Sequence, residues 1–208
     1  MSGAAVGFAR TAARVAVAAW CCGVVVPALC SAAAPTATDD AALASLMHDL
    51  AARTRSHATF TERKTLAVLS RPVESSGELL YVAPDHLEKR TLKPREETLR
   101  LDGDKLTMQR GRRSLSMALR DAPQAAPFID TIRATLAGDL QALQRSFSTE
   151  FHAAPDGWTL QLVPRDAALL RTLARVRIAG AGSALREVAI DSADGDRSVM
   201  LIHELPAP

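Results

Sequence analysis

The sequence predicts a mainly β (α+β) fold in a single domain, namely a strongly curved antiparallel sheet or unclosed β-barrel of about eleven strands with helices against one face. About eleven short segments rich in β-branched, aliphatic and aromatic residues follow one another, and three of their connections carry Asp-Gly, which is typical of tight antiparallel turns. The helical patterns are few and amphipathic, so each has an apolar stripe that must be buried. The sequence therefore favours a meander of strands over a parallel sheet.

Residues 1–33 have the order of features found in a secretory signal peptide. Arg10 and Arg14, without any acidic residue, precede an almost wholly apolar run at 15–29, and small residues follow. The run contains Pro27 and is shorter than the roughly 20 residues that a membrane-spanning helix needs. We therefore expect a cleaved signal peptide and a periplasmic protein, with an uncleaved membrane anchor as the alternative.

Cleavage after Ala33 would leave a flexible leader at residues 34–40 and a folded domain at residues 41–205. All three cysteines lie before the cleavage site, so we expect neither a disulfide nor thiol chemistry. Cleavage also removes two of the 25 basic residues, which leaves 23 against 23 acidic residues. A chain without a basic excess gives no electrostatic reason to expect nucleic acid as a partner.

The first predicted element of the domain is a helix at Asp40–Arg53, capped by Thr38 or Asp39. Its apolar residues recur at helical spacing and form one face: Leu43, Leu46, Met47 and Leu50.

Six strands are predicted next, at residues 57–69, 77–83, 87–92, 98–101, 105–108 and 115–119. Asp102-Gly103-Asp104 is a strong hairpin signal between two of them. Helical spacing then returns over Asp121–Phe147. Gly138 interrupts this segment and Asp139 can cap its second half, so the pattern predicts a helical hairpin or a bent helix.

Five more strands are predicted in the last third of the chain, at residues 148–153, 158–163, 175–180, 185–190 and 198–205. A short helix or helical turn is expected at Asp166–Leu173. Trp158, Leu160 and Leu162 alternate with other residues and share one face of their strand. The helices can either fill the concave face of the curved sheet as an ordinary core or cover it loosely and leave an apolar hollow.

Catalytic and metal-binding motifs are not visible in the sequence. The five histidines have no metal-ligand spacing, and neither an HExxH nor a GxSxG motif occurs. Asp191, Asp194 and Asp196 lack the spacing of a calcium loop, and the Gly180–Ser183 segment lacks the third glycine of a dinucleotide loop and reads as a turn. We therefore expect no enzymatic activity, no cofactor and no metal.

Arg110, Arg112 and Arg113 form a basic cluster at a predicted loop. The cluster is either a solvated turn or a contact for lipid headgroups or an acidic partner. An exported curved sheet with amphipathic covers also suits a container for an acyl chain, since each methylene withdrawn from water contributes about 0.8 kcal/mol.

The segments RSHATFTERKTL and SSGELLYVAPDHLEKRTLKPREETLRLDGDKLTM resemble the N-terminal half of the outer-membrane lipoprotein carrier (LolA) family. The likeness lies in the order of Phe-x-Glu near the first strand, Gly-acid-Leu, two prolines ten residues apart and Asp-Gly. WTLQLVP and the terminal Asp-Gly hairpin also fit, so the resemblance extends over about Ala41 to Leu205 and indicates a divergent branch of the family.

The resemblance implies an eleven-stranded unclosed barrel with a helical lid over a hydrophobic cavity. It also implies a monomeric carrier that takes acylated proteins from an inner-membrane exporter and passes them to an outer-membrane receptor. By position it implies inward-facing Leu79, Tyr81, Leu87 and Leu99. To these the predicted cavity adds Leu101 and, from alternation, Trp158, Leu160 and Leu162. The predicted lid residues are Phe128, Ile132, Leu136, Leu140 and Leu143.

Two positions depart from the family pattern. Ala83 stands directly before Pro84, where well-known carriers have an arginine that latches the lid, and Lys89 stands where an aromatic residue is usual. The latch is therefore missing or supplied elsewhere, and the cavity rim is more polar. Three functions remain open: a lipoprotein carrier, a carrier of a non-protein amphiphile such as a glycolipid or polyene lipid for a dedicated exporter, and a lipid-sensing interaction module.

Overall fold

The computed structural model describes residues 37–123 and 125–206. The predicted signal peptide at residues 1–33 lies outside the described residues, as does the beginning of the predicted leader. The described part of that leader, residues 37–40, is helical.

The first helix, α1 (Ala37–Ala51), begins and ends slightly earlier than the predicted Asp40–Arg53. Its first turn carries Asp39 and Asp40, whose negative charge favours the N-terminal end of a helix. No helix among the described residues is long and apolar enough to cross a membrane.

Six antiparallel strands follow, each paired with the one before it. They are β1 (Arg55–Thr65), β2 (Val73–Val82), β3 (His86–Lys93), β4 (Glu97–Asp102), β5 (Lys105–Arg110) and β6 (Arg113–Ala118). The predicted hairpin at Asp102-Gly103-Asp104 is confirmed as the turn between β4 and β5. Gly103 has φ +57°, a conformation that glycine adopts without a steric penalty.

Two helices and a short 3-10 helix (Leu119–Asp121) occupy the middle of the chain: α2 (Ala126–Leu136) and α3 (Leu140–Ser146). They form the helical hairpin that was one of the two predicted arrangements. Asp139 caps α3, because its Oδ1 accepts a hydrogen bond of 2.8 Å from the Ala142 amide. Gly138, between the helices, has φ +66°, and a Cβ there would lie 2.1 Å from the Met47 carbonyl oxygen.

Five strands complete the chain: β7 (Phe147–Ala154), β8 (Gly157–Pro164), β9 (Leu173–Ala181), β10 (Ala184–Ser192) and β11 (Arg197–Glu204). The short helix α4 (Ala167–Leu170) joins β8 to β9, within the predicted range Asp166–Leu173. The Gly180–Ser183 segment contains the turn between β9 and β10, as expected.

All eleven strands form one antiparallel sheet in the order β6-β5-β4-β3-β2-β1-β11-β10-β9-β8-β7. The first strand pairs with the last, from Ala58 beside Glu204 to Thr65 beside Arg197. Strands β6 and β7 form the two outer edges, so the sheet is not closed, as predicted. Because β6 and β7 lie at opposite edges, the segment with α2 and α3 must cross between them.

The main hydrophobic core lies between α1 and the β7–β10 part of the sheet. Leu50, Leu160 and Ile178 are completely buried in it. The apolar face predicted for α1 packs here, since Leu43, Leu46, Met47 and Leu50 all belong to this cluster. This half of the concave face is therefore filled as an ordinary core.

A second, smaller cluster lies between α2 and the β4–β5 hairpin. Its buried members are Leu101, Leu106 and Leu119, and Ile129 of α2 packs against them. The two arrangements considered from the sequence thus each apply to one part of the sheet, because α1 packs tightly on its strands whereas α2 leaves a hollow beneath it.

Candidate binding cavity

A cavity of about 230 Å³ lies between the sheet and α2. Strands β1–β5 form one wall, β10 and β11 form another, and α2 forms the roof. The sheet must curve around this space, because distant strands border the same cavity. Most of the lining side chains are aliphatic or aromatic, and those with polar groups are Ser56, Tyr81, Glu88, Lys89 and Glu204.

Five of the eight predicted cavity residues line this space: Leu79, Tyr81, Leu87, Leu99 and Leu101. The register places them in two rows on one face. Tyr81 pairs with Leu87, which pairs with Leu101, whereas Leu79 and Leu99 lie on either side of Lys89. Alternation along each strand puts both rows on the concave side.

Three of the five predicted lid residues also line the cavity, namely Phe128, Ile132 and Leu136. They are spaced four residues apart on α2, so they share one face of the helix. The same helix buries Thr131 and Thr135, whose hydroxyls donate to the backbone carbonyls of Pro127 and Thr131 at 2.7 and 2.8 Å. These internal hydrogen bonds satisfy the buried hydroxyls.

Trp158, Leu160 and Leu162 lie elsewhere than predicted. They face the concave side, but α1 and its neighbours cover them, and they belong to the main core. Leu160 and Leu162 are fully buried, and the Trp158 indole donates a 2.7 Å hydrogen bond to the Gly182 carbonyl. Alternation identified the correct face of β8 but not the helix that packs on it.

Leu140 and Leu143, predicted for the lid, belong to α3 and also fall outside the cavity lining. Leu143 is buried in the main core and Leu140 packs against it. Gly138 ends the stretch that covers the cavity, and α3 then packs on β7.

The sequence analysis missed the cavity wall formed by β10 and β11. The apolar cavity residues that were not predicted are Ala58, Leu80, Leu106, Ile129, Leu185, Val188, Ile190, Met200 and Ile202. Val188 with Ile190 and Met200 with Ile202 alternate along their strands, so their shared faces were readable. Their place opposite β2–β5 depends on the pairing of β1 with β11, which has no local signal.

An ion pair borders the cavity beside β1. Arg53, just after α1, binds Glu204 of β11 through two hydrogen bonds, Nη1 to Oε1 at 2.8 Å and Nη2 to Oε2 at 2.9 Å. Arg53 also donates to the carbonyl oxygen of Ser183, between β9 and β10. Arg53 thus connects the end of α1 with β11 and with the β9–β10 turn. The contact lies beside Ser56 and Glu204, which line the cavity.

A second ion pair lies on the concave face, between Lys89 of β3 and Glu62 of β1. The Glu62 side chain is 6% exposed and also accepts a 2.7 Å hydrogen bond from the Ser198 hydroxyl. Lys64 lies 3.4 Å from the same carboxylate. The Lys89 ammonium is also 4.8 Å from the centre of the Phe60 ring, within the range of a cation–π contact.

Burial shifts both ionisation equilibria of this pair. Burial by itself would raise the pKa of Glu62, but the charges of Lys89 and Lys64 and the hydrogen bonds from Lys89 and Ser198 lower that pKa below its ordinary value. Burial also lowers the pKa of Lys89, and Glu62 only partly offsets this effect. The positive charge of Lys89 in the cavity wall is therefore stabilised by the buried Glu62 carboxylate.

Ala83 stands where the resemblance implies a latching arginine, and its described contact is a 2.9 Å hydrogen bond from its amide to the Thr54 carbonyl. On the lid itself, Arg133 of α2 reaches the β4–β5 turn. Its Nη1 lies 3.3 Å from the Gly103 carbonyl oxygen and 3.3 Å from Asp104 Oδ1. A lid-to-sheet contact thus exists, but the arginine is on the lid and not on the strand.

A larger groove of about 670 Å³ lies outside the lid, between α2, α3 and the β2–β3 turn. Four charged residues, Asp130, Arg133, Asp139 and Arg145, line it among small apolar residues, so its surface is more polar than that of the cavity beneath α2. Within the part of the chain that the structure describes, no three His, Cys, Asp or Glu side chains come together in a way that could hold a metal ion.

Comparison with known proteins identifies the family. The outer membrane lipoprotein carrier protein LolA-like family matches residues 32–204. No curated protein is similar enough in sequence to count as a relative.

Solved structures with a similar fold have low sequence identity. A LolA superfamily protein from Nitrosomonas europaea is 10% identical with a TM-score of 0.42, over 82% of this chain and 94% of that one. A DUF1329 family protein from Desulfovibrio piger is 9% identical with a TM-score of 0.47, over 80% and 92%. A chain of the MucA/MucB complex of Pseudomonas aeruginosa is 12% identical with a TM-score of 0.43, over 80% of this chain and 58% of that one. Because the family match spans most of the chain, this protein belongs, as a divergent member, to the outer membrane lipoprotein carrier protein LolA-like family.

Proposed function

We propose that the protein is a periplasmic carrier that shelters acyl chains of a lipoprotein or another lipid in the cavity beneath α2, without enzymatic activity. The observation that carries this proposal is the apolar space that the protein's own side chains leave unfilled between the sheet and α2. A mostly apolar space of this kind can accept a hydrocarbon guest, which replaces water against its walls.

The size of the cavity limits what it holds with α2 in place. Its volume of about 230 Å³ lies below the roughly 300–1,000 Å³ of typical ligand pockets. At about 30 Å³ per water-sized group, it accommodates on the order of eight methylenes. Their burial would contribute on the order of 6 kcal/mol before ordering costs. A longer chain requires α2 to move away from the sheet.

The packing of α2 is compatible with such a movement. Ile129 of α2 packs on the small cluster around Leu101 and Leu106, and Arg133 contacts the β4–β5 turn, whereas Phe128, Ile132 and Leu136 pack against the edge of the main core. The main core beneath α1 has most of its buried residues on other elements. Displacing α2 would therefore enlarge the cavity while most of the main core keeps its packing.

Membership of the family supports a role in transfer from the inner toward the outer membrane. We propose an inner-membrane exporter as the donor, an outer-membrane receptor as the acceptor, and a monomeric carrier between them. The cargo binds by hydrophobic burial, and its release requires only that the acceptor offer a comparable apolar environment.

A carrier of a non-protein amphiphile, such as a glycolipid or polyene lipid, is the second candidate. Two observations favour it: the small cavity volume, and the charged Lys89 in the cavity wall where an aromatic residue is usual in the family. A single chain with a polar group fits this space better than the several acyl chains of a lipoprotein anchor.

Mass spectrometry of material that co-purifies with the protein from periplasm tests both candidates. We expect an acylated protein in the first case and a free amphiphile in the second. The variant Ala58→Phe, which fills the cavity, should carry less of either, whereas Leu201→Ala on the outer face should carry as much as the unaltered protein. Recovery of no lipid, or equal amounts with Ala58→Phe, would contradict a carrier function based on this cavity.

A further inference from the structure

One end of the sheet combines exposed apolar side chains with an excess of cations. Antiparallel pairing from β1 to β6 brings the β1–β2 loop, the β3–β4 loop and the β5–β6 turn to this same end. We call the segments 62–74, 93–97 and 110–113 the basic rim. Strand β1 runs from the cavity at Ala58 to the rim at Lys64, a distance of about 20 Å at a rise of roughly 3.3 Å per residue.

The apolar part of the rim is the tip of the β1–β2 loop. Val68 is 89% exposed there, and Leu69 beside it is 48% exposed. The loop is braced, because the Ala67 amide donates a 2.8 Å hydrogen bond to Asp196 Oδ1 and the Leu69 amide donates a 2.9 Å bond to the Leu66 carbonyl. The fold therefore holds two large apolar side chains in water at a protruding point.

Positive charge predominates on the β1–β6 side of this tip, whereas the acidic β10–β11 turn contacts its other side through Asp196. Against the four carboxylates Glu62, Glu74, Glu96 and Glu97, the rim carries eight cations: Arg63, Lys64, Arg71, Lys93, Arg95, Arg110, Arg112 and Arg113. The β2–β3 and β4–β5 turns at the opposite end of these strands carry the carboxylates Asp85, Asp102 and Asp104. The β10–β11 turn beside the rim carries Asp194 and Asp196. The excess of positive charge is therefore confined to the loops that connect β1 to β6.

We propose that the basic rim docks on a bilayer surface that contains anionic phospholipid, with Val68 and Leu69 entering the interface. This inference is independent of what the cavity holds. Cations near an anionic leaflet and apolar side chains at the boundary between headgroups and acyl chains are the two attractions that bind proteins to membrane surfaces. A protruding tip suits a fluid surface, whereas a folded protein partner would need a matching pocket.

Sedimentation of the purified protein with vesicles tests the proposal. We expect binding to equimolar phosphatidylethanolamine and phosphatidylglycerol, little binding to phosphatidylcholine, and a loss of binding as salt rises. Val68→Asp should weaken binding about tenfold, the change that about 1.4 kcal/mol produces. Leu201→Asp is the matched control, since Leu201 is 54% exposed on the outer face, and it should bind as the unaltered protein does.

A fluorescent fatty acid added in solution separates this proposal from the carrier function. Val68→Asp should take up the probe normally, because Val68 lies outside the cavity lining. Ala58→Phe should lose uptake but still bind vesicles. No binding to anionic vesicles, equal binding to both vesicle types, or unchanged binding by Val68→Asp would overturn the proposal, and the first of these would point to a protein partner for the rim.

Discussion

Arg53 and Glu204, 151 residues apart, form a bidentate ion pair at the wall of the cavity, with N–O distances of 2.8 and 2.9 Å. Both side chains are about one quarter exposed or less. The pair connects the end of α1 to the last strand, beside the pairing of β1 with β11 that unites the two halves of the sheet. Charge-assisted, two-pronged hydrogen bonds of this kind are among the stronger polar contacts in proteins.

Replacing Arg53 should therefore lower the stability of the whole sheet. We expect Arg53→Ala to reduce the free energy of unfolding by about 1–2 kcal/mol, because Glu204 keeps its charge in a partly desolvated place. Arg53→Lys should recover part of the loss, since lysine keeps the charge without the planar fork. Urea unfolding measures both, and equal stability of all three proteins would show that the pair contributes nothing.

Filling the cavity should block uptake of an acyl chain. Ala58 is buried on β1, next to Leu79, and lines the cavity. In Ala58→Phe the ring would occupy space that hydrocarbon otherwise fills, so binding of a fluorescent fatty acid should fall at least about tenfold, the equivalent of losing two buried methylenes. Circular dichroism should show that the fold remains.

The contrasting variant is Leu160→Ala in the main core. Leu160 is fully buried and lies outside the cavity lining, so its truncation should cost about 2–5 kcal/mol of stability and leave fatty-acid binding unchanged below the melting temperature. A loss of binding by folded Leu160→Ala would mean that the core beneath α1 also receives the guest.

Breaking the buried pair of Glu62 and Lys89 should be costly. In Glu62→Gln the Lys89 ammonium loses its counter-ion in a desolvated place, and we expect a loss of about 2–3 kcal/mol at neutral pH. The double variant Glu62→Gln with Lys89→Met should lie within about 1 kcal/mol of the unaltered protein, because no uncompensated charge remains. If the double variant were the least stable of the three, charge compensation would not be the cause.

The same pair predicts the direction of a pH effect. The pKa of Glu62 is lowered from 4.5 in the folded protein, so its ionised form stabilises the fold fully above about pH 4.5, and this contribution is lost as the pH falls through the lowered value. The stability difference between the unaltered protein and Glu62→Gln should shrink between neutral pH and about pH 3. Urea unfolding at both pH values checks this, and a constant difference would contradict it.

The contact of Arg133 with the β4–β5 turn should restrain the lid. Arg133→Ala removes hydrogen bonds of 3.3 Å to the Gly103 carbonyl and to Asp104, so amide hydrogen exchange in α2 should accelerate about twofold to fivefold, equivalent to about 0.5–1 kcal/mol. Arg145→Ala on α3 is the control and should leave α2 unchanged. An arginine at the family position, Ala83→Arg, should slow exchange in α2, and no change in either direction would show that side-chain latching does not control the lid.

Local patterns were sufficient for the strands, the turns and the break between two helical segments, although they left a helical hairpin and a bent helix as alternatives. The period of two along β8 placed Trp158, Leu160 and Leu162 on one face, whereas the inward faces of Leu79 and Tyr81 on β2 came from the resemblance to the family. Gly138 with Asp139 marked the break between α2 and α3. These features depend on the conformational preferences of neighbouring residues, so a single sequence contains them.

The sequence by itself determined which side chains face inward, but only the tertiary structure decided which of them line a cavity and which are packed. Leu79 and Leu160 both lie on the concave face of the sheet. Leu79 lines the cavity beneath α2, whereas Leu160 is packed in the main core with the apolar face of α1. The pairs Lys89–Glu62 and Arg53–Glu204 likewise join strands that meet only when the sheet forms. The physical reason is that alternation is a property of one strand, whereas burial and ion pairing depend on the element that packs against it.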